Sequence, residues 1–159
     1  MNYAVFSQAE TEPAEALSPE EAQARMERIL RGACAQADGG TRINEMLAPE
    51  FAACSAAEQT AALRFALQDW MMNPKGTLHG GIMSMMLDMT MGVLTRWSRR
   101  TAGVSTVTLA VSFLRPAVAP GSVTAVAHVE RSGRTVSFLT AKLHDGEGRL
   151  CATATATFM

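Results

Sequence analysis

One carboxylate stands alone in a long apolar run of the sequence. Asp88 is the only charged residue between His79 and Arg96, and methionines surround it. An isolated carboxylate in dry surroundings is costly unless it is hydrogen-bonded or takes part in a reaction. Asp88 is therefore a candidate catalytic group. The structural alternative is that it bonds a buried hydroxyl or faces a wet subunit interface.

Small and polar residues recur around Asp88 at helical spacing. Positions three or four apart share one face of a helix, which groups Gly81, Ser84, Asp88, Gly92 and Thr95. This stripe on an apolar helix predicts that a polar ligand or another backbone approaches it. Gly81 and Ser84 are accordingly candidate substrate-binding positions.

Two adjacent glycines, Gly80 and Gly81, stand at the predicted start of this helix. The first amides of a helix have no partner within the helix and attract negative charge. Without side-chain cover, these amides could hold a developing oxyanion. The alternative is that the glycines permit tight packing or an unusual backbone angle.

The predicted helix separates these two candidate groups. Asp88 lies roughly 10 Å from the N-terminal amides at the usual rise per residue. One copy cannot supply both groups to the same carbonyl. We therefore predict a site shared between two subunits, in which antiparallel helices lie side by side.

The elements that must position these groups follow from hydrophobic periodicity. A proline-free run predicts a helix from Gly80 to Arg99, and its apolar residues cover nearly all sides. Alternating residues then predict strands at 106–113, 123–132, 135–144 and 150–158. These elements indicate an α+β fold, a curved antiparallel sheet wrapped around a long central helix. Self-association would complete the burial of its edges.

The N-terminal part is predicted to add one helix to a single domain over residues 18–159. Residues 1–17 are polar and predicted to be disordered. Ser18, Pro19 and Glu21 form a capping-box pattern that opens a helix ending near Gly39-Gly40. Leu63, Phe65 and Leu67 recur at every second position, as in a strand. Residues 55–63 have a helical composition. For residues 51–56, propensity does not decide between strand and helix.

Composition excludes several classes of function. A net charge of -1 offers no broad surface for nucleic acid or an anionic membrane. The three cysteines are far apart, form no C-x-x-C pair and suit buried apolar positions, and no metal-ligand set is present. No secretory signal or membrane span is recognisable, so a cytoplasmic protein is expected.

The motif N-P-x-G-x-x-H-G-G, with an aspartate nine residues after the histidine, resembles the PaaI-like hotdog-fold acyl-CoA thioesterases. The resemblance runs from about Arg64 to Phe158 and includes F-L-R-P-A, S-G-R-T and D-G-E-G-R-L. It implies a hotdog fold with residues 80–99 as the central helix, and it favours a strand at residues 51–56.

The resemblance also implies roles for individual residues. Asp88 would act as general base or nucleophile on an acyl-CoA thioester, and Gly80 would supply the oxyanion amide. Asn73 and His79 would orient groups around the reacting carbonyl and water. A strand hydroxyl that bonds the attacking water is carried by Ser105 or Thr106, which point to opposite faces.

The expected substrate is an aryl-, arylacetyl- or medium-chain acyl-CoA, with CoA as part of the substrate and no separate cofactor. Guanidinium groups suit the phosphates of CoA, and Arg115, Arg131 and Arg134 are the candidates. We expect a homodimer that pairs into a homotetramer. The alternatives are a noncatalytic acyl-CoA-binding protein and an acyl-thioester hydratase or dehydratase, whose acid–base spacings this sequence lacks.

Overall fold

The structure is a computed structural model that describes residues 17–35, 40–101 and 103–159. Most of the segment predicted to be disordered lies outside these residues, as does Gly39 at the predicted end of the first helix, whereas Gly40 is described and is not helical. The elements in chain order are α1 (Pro19–Ala35), α2 (Ile43–Met46), β1 (Glu50–Ser55), β2 (Thr60–Ala66), a short 3-10 turn (Asp69–Met71), α3 (Gly80–Ser98), β3 (Thr106–Phe113), β4 (Ser122–Ser132), β5 (Ser137–Asp145) and β6 (Leu150–Phe158).

All six strands form one antiparallel sheet in the order β1-β2-β4-β5-β6-β3. The predicted alternation is confirmed in β4, where Val123, Ala125, Ala127 and Val129 are buried and their neighbours are not. Alanines also fill the buried positions in the middle of β5 and β6. Such small side chains leave room for a helix to pack closely against the sheet.

Helix α3 occupies that space and packs against β2, β3, β4, β5 and β6. Its apolar residues supply much of the core, as the sequence predicted, and its buried side chains are Met83, Met86, Leu87, Thr90, Met91, Val93, Leu94 and Thr95. Both buried threonines donate to carbonyls four residues earlier, Thr90 to Met86 at 2.8 Å and Thr95 to Met91 at 2.8 Å. Their burial therefore leaves no hydroxyl without a partner.

Helix α1 packs against β1 and α3. The predicted capping box is confirmed: the Ser18 amide donates to Glu21 at 2.8 Å and the Glu21 amide donates to Ser18 Oγ at 3.2 Å. Gln23 bonds the exposed edge of β1 through the carbonyl of Cys54 and the amide of Ala56. This amide contact satisfies strand groups that would otherwise have no neighbour.

The region that was ambiguous in sequence forms a hairpin. Residues 56–59 make the turn, and β1 and β2 pair on either side of it. Ala61 and Ala62 belong to β2, where both are buried and Ala61 is part of the core. Tertiary burial therefore overrides their helical propensity.

The three cysteines are free, with Cys151 buried and the other two half-buried. Burial is the main cause that raises the pKa of each thiol. They ionise less readily than exposed thiols and serve as packing groups. Among the residues described, no helix has the length and apolarity needed to cross a bilayer.

Candidate active site

The loop before α3 is held by the side chain of Asn73. Asn73 Oδ1 accepts from the amides of Lys75 at 2.9 Å and Thr77 at 3.3 Å. Asn73 Nδ2 donates to Thr77 Oγ1 at 2.8 Å. Both acceptor positions and one N–H of this amide are thus used inside the loop. Asn73 orders the backbone that leads to the glycine pair.

His79 caps the start of α3. Its Nδ1 accepts a hydrogen bond from the amide of Gly81 at 2.9 Å. The backbone of His79 is tied back through its own N–H to the carbonyl of Met71 at 2.9 Å. The sequence did not predict this contact, because histidine is not among the usual N-cap residues.

Gly80 therefore provides the amide that the cap leaves available. Within the part of the chain that the structure describes, no hydrogen bond engages the Gly80 N–H. The ring of Phe113 lies over this position, 3.2 Å from where a Cβ on Gly80 would be. Gly80 thus allows an aromatic ring to approach the helix start closely. Sequence reasoning missed Phe113, although it lies within the F-L-R-P-A motif.

Asp88 lies beside the N-terminal end of β3, whereas Phe113 is at the C-terminal end of that strand. Thr106 Oγ1 donates to Asp88 Oδ1 at 2.8 Å. Ser105 instead pairs its backbone with Met159 and places no hydroxyl on Asp88. Thr106 is therefore the strand hydroxyl next to the carboxylate. Asp88 is half-buried in a single chain, because the neighbouring strand β3 lies at the edge of the sheet. The sequence had predicted dry surroundings for this carboxylate.

The residues of the small and polar stripe on α3 differ in solvent exposure along the helix. Gly81 is exposed, and Ser84 and Asp88 are half-buried. Ser84 donates to the carbonyl of Gly80 at 3.0 Å. Gly92 faces Phe158 and Val104 of its own chain, and Thr95 is buried. Gly81, Ser84 and Asp88 are therefore accessible to a ligand or a second backbone, whereas Thr95 is not.

The free edge of β3 is apolar. Val107, Phe113 and Leu114 are 49%, 54% and 54% exposed. Among the strands that the structure describes, β3 pairs with β6 alone, so its other edge carries backbone groups with no neighbour among those strands. An exposed apolar edge of this kind is a template for pairing with another strand.

The candidate arginines do not form one cluster. Arg115 follows β3 on the Phe113 side and donates to the carbonyl of Leu150 at 3.1 Å. Arg131 and Arg134 flank the β4–β5 turn, where the Arg134 carbonyl accepts from Arg99 at 3.3 Å. This second group lies near the C-terminal end of α3, so the two sets occupy different ends of the molecule.

A prediction follows from the bonds of Asn73. Asn73→Ala removes three loop bonds and should lower the free energy of unfolding by about 1–3 kcal/mol. Asn73→Asp keeps both acceptor bonds and can accept from Thr77, so it should stay within about 0.5 kcal/mol of wild type. Urea unfolding at matched protein concentration measures both. Equal losses in the two variants would contradict the loop-ordering role.

Comparisons with known proteins identify the family and the fold. The sequence profile of the thioesterase superfamily matches residues 75–152. A phenylacetic acid degradation-related protein from Ralstonia eutropha JMP134 has 32% identity and a TM-score of 0.71, over 85% of this chain and 98% of that chain. No curated protein sequence matches. The chain therefore belongs to the thioesterase superfamily, and it is a PaaI-like member.

Two further structures share the fold at lower identity. The PaaI protein of the Escherichia coli phenylacetic acid degradation operon has 16% identity and a TM-score of 0.70, over 84% of this chain and 93% of that chain. A Streptococcus mutans UA159 protein bound to acetyl-CoA has 15% identity and a TM-score of 0.64, over 70% and 86%. The predicted hotdog fold, with its additional N-terminal helix, is confirmed.

Proposed function

We propose that this protein hydrolyses acyl-CoA thioesters to a free acid and CoA. The observation that carries the proposal is the hydrogen bond between Asp88 on α3 and Thr106 on the edge strand β3, together with an available amide at Gly80. Membership in the thioesterase superfamily supports the same reaction class. The chemistry needs a base or nucleophile, a donor for the oxyanion and a carbonyl held between them.

The proposed reaction has two routes that use the same groups. As general base, Asp88 takes a proton from water, the hydroxide adds to the carbonyl carbon, and the Gly80 N–H holds the oxyanion. Collapse breaks the carbon–sulfur bond, and the CoA thiolate takes up the proton. As nucleophile, the Asp88 carboxylate forms a mixed anhydride and expels CoA thiolate, which takes a proton from solvent, and water then cleaves the anhydride to the free acid and restores Asp88.

The proposed site is completed by a second copy of the chain. Gly80 and Asp88 are eight positions apart in α3, about 12 Å at 1.5 Å per residue. Antiparallel pairing of two β3 edges about a two-fold axis near the strand centre would set Thr106 of one subunit beside Phe113 of the other. Asp88 of one subunit would then face Gly80 of the other, and two such dimers would form the tetramer.

The oligomer can be tested with two exposed apolar positions. Val107→Asp places a charge on the free β3 edge and should convert the dimer to monomer with loss of activity. Phe138 is also exposed, at 47%, but it lies on β5 away from that edge. Phe138→Asp is the matched control and should remain at least dimeric. Sedimentation at micromolar concentration measures both, and a folded, fully active wild-type monomer would contradict the shared site.

The proposed acyl group is aryl, arylacetyl or medium-chain aliphatic. Met83 and Met86 are buried in the core, while Met89 is half-buried and available to line a pocket. Methionine adapts to differently shaped apolar groups. The names of two relatives refer to phenylacetic acid degradation, which supports arylacetyl groups. For the phosphates of CoA we propose Arg115, Arg131 or Arg134.

A thiol-release assay tests the function. Phenylacetyl-, benzoyl-, octanoyl- and acetyl-CoA should be compared at equal concentration, and we expect release from at least one of the first three. Absence of thiol release from all four, with binding seen by calorimetry, would replace the proposal with a noncatalytic acyl-CoA-binding protein. Conversion of an enoyl-CoA without thiol release would replace it with a hydratase.

A further inference from the structure

The start of α3 consists of residues with low helix propensity. Two glycines occupy its first two positions, and glycine costs a helix about 1 kcal/mol relative to alanine. The first amides of any helix also lack partners within the helix. A helix that begins in this way frays unless another group fixes its first turn, and the proposed oxyanion donor lies in that turn.

His79 is the group that fixes it. Its Nδ1 bonds the Gly81 amide, which leaves the neighbouring Gly80 N–H unengaged. A Cβ on Gly81 would lie 3.1 Å from Nδ1 and 3.3 Å from Cε1 of His79. The imidazole therefore lies directly over Gly81, and the absence of a side chain there gives the ring its place.

This hydrogen bond also determines where the imidazole proton is. A neutral imidazole has one donor and one acceptor nitrogen. Because Nδ1 accepts from Gly81, the proton is on Nε2. His79 in this state can donate from Nε2 but cannot act there as a general base, which leaves Asp88 as the base in the proposed site.

We propose that His79 is a positioning residue, which acts through the Gly81 amide to hold the Gly80 N–H in the orientation that receives the oxyanion. This inference rests on the proposed function. An oxyanion donor stabilises the transition state more than the bound substrate. Loss of the cap should therefore lower kcat and leave KM nearly unchanged.

Two substitutions test the roles of the two ring nitrogens of His79 separately. Asparagine places an acceptor where Nδ1 is and is a strong N-cap residue, whereas glutamine reaches towards the Nε2 position without the cap. We expect His79→Asn to keep kcat within roughly threefold of wild type. His79→Gln and His79→Ala should lose roughly 10- to 100-fold, as misplaced catalytic groups do. High activity in His79→Gln with low activity in His79→Asn would overturn the proposal.

Two readouts without activity keep this test separate from the proposed function. NMR of the imidazole nitrogens should show the Nε2–H tautomer for His79, identified by its loss in His79→Asn among the three histidines. Amide exchange of Gly81 should accelerate roughly tenfold in His79→Ala and not in His79→Asn. An Nδ1–H tautomer would overturn the proposal. A wild-type protein that shows the cap and no hydrolysis would refute the proposed function instead.

Discussion

Asp88→Asn should leave the fold intact and reduce thioester hydrolysis by at least about 100-fold, since acid–base groups contribute roughly 100- to 10,000-fold. The amide preserves the volume of the side chain and can still accept the 2.8 Å bond from Thr106. It can neither take a proton from water nor attack the thioester carbon. The rate of thiol release at saturating substrate measures the effect.

Thr106 supplies the matched control for this experiment. Thr106→Val removes the hydroxyl that contacts Asp88 and keeps the shape of the side chain, whereas Thr106→Ser keeps the hydroxyl. We expect a loss of roughly 10-fold in Thr106→Val, the effect of one misplaced or missing hydrogen bond, and near-normal activity in Thr106→Ser. Near-normal turnover in a folded Asp88→Asn protein would make Asp88 a structural residue.

The sequence predicted the elements that carry these residues because their patterns repeat over many positions. The proline-free apolar run gave α3, and period-two alternation gave β3 to β6. The capping box at Ser18 and Glu21 was readable because it depends only on local spacing. The β1–β2 hairpin was ambiguous because alanine-rich segments are compatible with both helix and strand. Burial in the folded core selects the strand.

The choice between Ser105 and Thr106 could not be made from alternation. A bulge between Thr106 and Thr108 shifts the register of β3 against β6. Thr106 pairs with Phe158, and Leu109 pairs with Ala156, both of which are buried. A simple period of two would have grouped Leu109 with Val107 instead. An extra residue in one strand moves side chains between faces without an obvious sequence signal.

The roles that the resemblance implied for Asn73 and His79 could be defined only from the positions of their atoms. Asn73 was expected to orient groups at the carbonyl, and its side chain is found bonded to Lys75 and Thr77 of its own loop. His79 was expected to act near the same carbonyl, and its Nδ1 is found on Gly81. Sequence motifs identify such residues, but hydrogen bonds decide which atom is available.

The central claim is that each site takes Asp88 from one subunit and the Gly80 amide from the other, so two defective variants should restore each other. Asp88→Asn and His79→Ala chains should be mixed and allowed to exchange subunits. Each mixed dimer then has one site with both groups intact and one with neither. Random exchange makes about half of the dimers mixed.

Thiol release should therefore rise to about a quarter of the wild-type rate, above the residual rate of His79→Ala homodimers measured alone. Exchange is verified independently by native mass spectrometry of chains with different tags, and two Asp88→Asn preparations mixed in the same way are the control. Recovery to about a quarter of wild type is the result expected for a shared site. No recovery after verified exchange would place Asp88 and the oxyanion donor in the same chain and contradict the account.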